Sequence, residues 1–98
     1  MPDVTYGPDL KSVSGVKTLL VANQKLSHHS LKITCSNAAV TFTIKARGRI
    51  DAGGTFFSFS DNLMSANSMA VFALPGIVEL QITPSDLAAT YSVSTSSY

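Results

Sequence analysis

From Val40 to Arg47 the chain alternates without a break: Val40, Phe42, Ile44 and Ala46 are apolar, and Thr41, Thr43, Lys45 and Arg47 are polar. Successive side chains of a strand point to opposite faces, so this pattern makes one dry face and one wet face. A helix needs an apolar stripe recurring about every 3.6 residues, which this segment does not supply. The β-branched and aromatic residues here fit a pleated, half-buried surface. The same alternation returns in Leu31, Ile33 and Cys35 against Lys32 and Thr34, and in Val78, Leu80 and Ile82 against Glu79, Gln81 and Thr83. It returns again in Ala89, Tyr91 and Val93 against Thr90, Ser92 and Ser94.

Turn signals separate these runs. Ser14-Gly15 precedes Val16 to Val21, which is apolar on both sides and reads as an inner strand or one covered by a partner. Asn23 to Ser30 is polar and reads as a loop carrying His28-His29. Ser36-Asn37 offers a turn between Leu31–Cys35 and Val40–Arg47, which predicts an antiparallel hairpin with one wet and one dry face. Gly48 and Asp51-Ala52-Gly53-Gly54 interrupt the pattern, and Thr55 to Phe59 resumes it as a strand. Ser60 to Ser68 reads as a loop or a single helical turn, with Ser60 or Asp61 as N-cap. Ala70 to Leu74 is a strand, Pro75-Gly76 fits a type II turn, and Thr83 to Asp86 is a turn. The expected fold is all-β: about seven or eight short strands in a small antiparallel β-sandwich, jelly-roll or immunoglobulin-like.

A chain of 98 residues fits one domain with a thin core. Residues 1–9 read as an extended N-terminal arm, 10–94 as the sandwich and 95–98 as a C-terminal tail. Charged residues make up 13%, about half the usual share, and serine and threonine take their place. That suits a protein packed against neighbours, and equally a neutral Ser/Thr-rich β surface. The net charge of +1 predicts no nucleic-acid partner. Lys45, Arg47 and Arg49 project from one strand face, as a solvated face first and a contact for an acidic partner second. Cys35 has no second cysteine to pair with and alternates with Leu31 and Ile33, so it reads as a buried small hydrophobe. Met1 to Thr5 lacks the basic and apolar regions of a secretory signal, and no apolar run approaches the ~20 residues that span a bilayer. The expectation is a protein made in a cytoplasm, soluble or assembling there, with no membrane partner.

No catalytic constellation emerges. His28 and His29 lack the further ligands that a zinc site needs. Five of the six carboxylates, Asp3, Asp9, Asp51, Asp61 and Asp86, fall in arms or turns, and Glu79 lies on a wet strand face. A thiolate nucleophile needs a polar, accessible site, whereas Cys35 sits with the dry residues. The glycines lack phosphate-loop spacing. No enzyme activity, cofactor or metal is therefore expected. Phe57, Phe59 and Phe72 read as core. Phe56 breaks the alternation beside Phe57, so one of the two must leave the dry face and fill a subunit interface.

The segment Ala39-Val40-Thr41-Phe42-Thr43-Ile44-Lys45-Ala46-Arg47-Gly48 is a strand closed by glycine. It is followed by Phe72-Ala73-Leu74-Pro75-Gly76-Ile77-Val78-Glu79-Leu80-Gln81-Ile82-Thr83 and by Tyr91-Ser92-Val93-Ser94. This order resembles small β-sandwich structural proteins of tailed bacteriophages. The resemblance implies a virion protein of the capsid decoration (cement) type. It would be assembled in the host cytoplasm, bind the major capsid protein or other virion proteins, and form a homo-oligomer, with a trimer favoured. Candidate partner contacts are Pro2, Val4 and Tyr6 in the arm, Lys45, Arg47 and Arg49 on the basic strand, Phe56, and Tyr98 in the tail. The other reading is a carbohydrate- or receptor-binding sandwich of a phage fibre or tail. It expects an exposed aromatic beside polar side chains, around His28-His29 or Ser60 to Ser68.

Overall fold

A computed structural model describes residues 4–20, 28–48, 57–72 and 77–98. Its strands are β1 (Thr5–Tyr6), β2 (Leu10–Val13), β3 (Lys17–Leu20), β4 (His29–Cys35), β5 (Thr41–Gly48), β6 (Phe57–Ser65), β7 (Ser68–Phe72), β8 (Ile77–Pro84) and β9 (Tyr91–Ser97). One sheet runs β1-β9-β4-β7, with β2 also on β9, and the other runs β3-β8-β5-β6. Every pairing is antiparallel: β2 with β9, β3 with β8, β4 with β7 and β5 with β6. These pairs nest inside one another like the rungs of one long hairpin, and they fall alternately in the two sheets. The remaining contacts, β4 with β9 and β5 with β8, close each sheet across the roll. This is the jelly-roll form of the sandwich.

The alternation predicted for β5 holds residue by residue, with Val40, Phe42, Ile44 and Ala46 all buried. From the other sheet Leu31, Ile33, Tyr91 and Val93 meet them, with Leu80 and Ile82 joining from β8. Burying each large aliphatic or aromatic side chain contributes about 1.5–3 kcal/mol, so this single layer dominates the stability of so small a domain. Cys35 belongs to it as a buried free thiol.

The expected hairpin between Leu31–Cys35 and Val40–Arg47 does not form. The chain between them crosses from one sheet to the other, so β4 and β5 face each other across the core. Either arrangement gives each strand one dry face, and period two cannot tell them apart. The segment Ser60 to Ser68 is neither loop nor helical turn. It carries the end of β6, a turn at Ala66-Asn67 and the start of β7. Between the pairs Thr43–Leu63 and Lys45–Ser58, β5 advances two residues while β6 advances five. Its polar run falls at this bulge, where regular alternation lapses.

The Ala66-Asn67 corner is tied to the β4–β5 corner. The Ala66 amide donates to the Val40 carbonyl at 3.1 Å, and the Cys35 amide donates to Asn67 Oδ1 at 3.0 Å. Asn67 has φ of 59°, in the left-handed region that asparagine tolerates better than most residues.

The segment expected as a tail continues β9 to Ser97, with the Tyr98 amide donating to the His28 carbonyl at 2.9 Å. The arm meets its own chain from Thr5 onward, where Thr5 pairs with Ser97 and Tyr6 with Ser96. Asp9 Oδ1 accepts from the Thr95 amide at 3.2 Å, and the Thr95 hydroxyl donates to the Pro8 carbonyl at 2.6 Å. The Pro75-Gly76 and Asp51–Gly54 turns lie outside the described residues.

Tyr91 ties the core to the β2–β3 turn. Its hydroxyl donates to the Gly15 carbonyl at 2.7 Å, and its ring meets Phe42 edge-on at 5.2 Å. Gly15 holds φ of 75°, an angle that favours glycine. Burial pushes the Tyr91 phenol above its ordinary pKa of 10.0. The Tyr91→Phe variant should lose about 1 kcal/mol in urea denaturation at neutral pH, with an unchanged slope. Above pH 10.0 the unfolded chain releases this proton before the folded one, so the wild-type protein should lose stability as pH rises. The variant should lose that component in thermal melts across the same window.

Candidate functional site

The two histidines separate as strand neighbours do. His29 opens β4 with its side chain in the interior, 2% exposed, and its Nδ1 lies 3.0 Å from Ser97 Oγ. The loop expected for His29 from sequence is therefore overturned: it opens a strand and faces the interior. His28 stays exposed and stacks on Tyr98, with ring centroids 5.3 Å apart and planes 14° from parallel. No cluster of three or more histidine, cysteine or acidic side chains suited to a metal ion occurs among the described residues.

Three of the proposed partner contacts converge. Val4, Tyr6 and Tyr98 all lie at one end of the outer face of the five-stranded sheet. Tyr6 pairs with Ser96, which pairs with Ser30, which pairs with Val71, so one row crosses four strands. The next row runs Ser94, Lys32 and Met69. The His28–Tyr98 pair continues the β4–β9 ladder one step beyond Tyr6, through the reciprocal bond from the His28 amide to the Tyr98 carbonyl at 3.0 Å. Tyr6 is 80% exposed and Met69 67% exposed; Val4, Val71 and Tyr98 are exposed as well.

Lys45 and Arg47 lie elsewhere, on the outer face of the four-stranded sheet. Arg47 stands opposite Glu79 in the β5–β8 register and forms an ion pair with it, so its charge is answered within the domain. Pro2, Arg49 and Phe56 lie outside the described residues.

Sequence reasoning missed Lys32, Met69 and Val71. Reading Ser60 to Ser68 as a loop hid the start of β7. The odd-even pattern Ser68, Ala70, Phe72 against Met69, Val71 was the available signal, because it puts two apolar residues on the wet side.

Of the segment Val16 to Val21, expected as an inner strand or one covered by a partner, residues 16–20 are described. Among the described strands β3 lies at a sheet edge, with β8 as its one neighbour. Leu19 is buried, while Leu20 is 64% exposed and Val16, just before β3, is exposed as well. No described helix is long and apolar enough to cross a membrane.

No family model matches the chain, and no curated protein matches it. Solved structures do. The SPBc2 prophage-derived protein YomS superposes with a TM-score of 0.67 at 16% identity, over 99% of this chain and 94% of that chain. The Yersinia pseudotuberculosis-derived mitogen (YPM) superposes with a TM-score of 0.56 at 7% identity, over 99% of this chain and 86% of that one. At such identities what is shared is the fold.

A double-mutant cycle on Arg47→Ala and Glu79→Ala should give a coupling of about 0.5–1 kcal/mol in chemical denaturation. It should shrink as salt is added. A coupling near zero at low salt would show that the pair does not hold in solution.

Proposed function

We propose that this chain is a non-enzymatic structural protein of a bacteriophage particle, of the capsid decoration (cement) kind, which docks through the edge of β3 that no described strand covers. The observation that carries this is the doubly apolar β3. Leu19 fills the core while Leu20 and Val16 are exposed, and no described strand pairs with the outer edge of β3. An edge of this sort is a template for another chain, and proteins that stay alone usually blunt it with charge or proline. Lys17 is the one charge on the strand. A partner that adds a strand here would pair the free amides and carbonyls and cover Leu20. The partner in this reading is the major capsid protein or another virion protein, and the chain works as a symmetric homo-oligomer, a trimer being favoured. The jelly-roll architecture is common in capsid proteins. The likeness to a prophage-derived protein over nearly the whole of both chains supports a phage setting.

A second reading, a receptor- or carbohydrate-binding module, is favoured by Tyr6 standing beside the serines of the other sheet.

The test is uptake by heads lacking decoration, prepared from the phage that encodes the chain. Wild-type protein should bind at a fixed ratio to capsid subunits. Leu20→Lys should abolish uptake while its melting curve stays close to wild type, since surface substitutions usually change stability by less than about 0.5 kcal/mol. Absence of uptake by the wild-type protein, with retained binding to cells or sugars, would replace this function with the second reading.

A further inference from the structure

The outer face of the five-stranded sheet is built unlike a protein-binding patch. Its centre is polar: the hydroxyl residues Ser92, Ser94 and Ser96 on β9 pair with Thr34, Lys32 and Ser30 on β4. Its apolar groups stand at the margin, with Tyr6 on β1 at one side and Met69 and Val71 on β7 at the other. Protein interfaces have the reverse anatomy, an apolar centre inside a polar rim. Covering this centre with an apolar partner would strip water from a row of hydroxyls and give nothing in return.

The strip is also shaped. Toward the Tyr6 end is a depression of about 210 Å3 lined by Tyr6, Ser30, Lys32, Met69, Ser94 and Ser96. Toward the other end is one of about 260 Å3 lined by Ser12, Thr34, Ser36, Asn67, Thr90 and Ser92. Ser92 and Ser96 stand roughly 13 Å apart at the ordinary rise of about 3.3 Å per strand residue. The two depressions therefore lie in line along one track.

We propose that this track binds a linear acidic glycan. Each serine or threonine hydroxyl both donates and accepts, as sugar hydroxyls do, so either partner can satisfy the other without a fixed donor pattern. The ring of Tyr6 flanks the track in the open and offers a flat face for the C–H side of a pyranose. Lys32 sits mid-track. The ion pair among the described residues, Arg47 with Glu79, lies on the opposite sheet. Among the described residues Lys32 forms no ion pair, and a uronate carboxylate would supply its counter-charge. A net charge of +1 does not suit a nucleic acid backbone. The β3 edge belongs to the four-stranded sheet, whereas this track lies on the outer face of the five-stranded one.

The experiment is an NMR titration of isotope-labelled full-length protein with three tetrasaccharides: oligogalacturonate, hyaluronan and neutral maltotetraose. The acidic sugars should shift the amide signals of Ser30, Lys32, Ser94 and Ser96 at millimolar concentration. Tyr6→Ala and Lys32→Gln should each weaken binding by several-fold to about tenfold. Lys32→Arg should retain it, and Gln81→Ala on the opposite sheet should leave it unchanged. Equal binding of maltotetraose, shifts confined to the four-stranded sheet, or no binding of any of the three would overturn the proposal. Concentration-dependent shifts of the same signals without sugar would also overturn it, by making a second copy the occupant. Head uptake and sugar titration are read separately, so a failure of β3 docking and a failure of this track are distinguishable.

Discussion

The structure depends on one layer of side chains pressed between two sheets. Leu31, Ile33, Tyr91 and Val93 come from one side, and Phe42, Ile44, Ala46 and Ile82 from the other. Each is held at its station by a central strand paired on both flanks: β4 and β9 in one sheet, β5 and β8 in the other. Hydrophobic burial is not directional, and the ladders supply the direction. In so small a domain there is no second layer to share the load. The tie from Tyr91 to Gly15 matters for this reason, because it anchors the turn that leads into β3 to the middle of the layer.

Everything that bears on binding is a by-product of that layer. A strand that gives alternate residues to the core must give the others to solvent, so the outer faces inherit their register from the inside. Ser30, Lys32 and Thr34 are spaced along β4 because Leu31, Ile33 and Cys35 are packed behind it. Tyr6 reaches the same row because Thr5 and Tyr6 pair with β9. The Tyr6 end of the proposed sugar track and the docking edge are set by strand register, while the far depression also draws on the corners that carry Ser36, Asn67 and Thr90. All of them depend on the sandwich closing in its correct register, since a slip of one residue would exchange faces.

The residues that alternate strictly were legible from sequence alone, and β5 is the clearest case. Partnership was not. Val40 to Arg47 announces a dry side, yet nothing in it says whether Leu31 to Cys35 lies beside it or across from it. Ser60 to Ser68 looked like loop because its polar residues straddle a bulge and a corner, where pairing does not impose period two. The candidate site was half visible. Val4, Tyr6 and Tyr98 were named from the arm and tail, but their meeting on one face depends on pairing between the two ends of the fold. His29 was misplaced because a histidine beside a histidine reads as polar, whereas the β4–β9 register carries it inside against Ser97.

The nested pairing has a consequence for how the molecule comes into being. Strand β9 has β1 and β2 on one flank and β4 on the other, so it is an interior strand of its sheet. It is also the farthest along the chain of all the described strands, and its bond to Pro8 joins positions 87 residues apart. Until β9 is made, β2 and β4 have a vacant gap between them, and the core lacks Tyr91 and Val93. Closing loops of that span is slow, in the millisecond-to-second range usual for sandwiches rich in distant contacts. The nascent chain must therefore wait in an unsealed form until β9 is made, and that strand is the wedge that locks it.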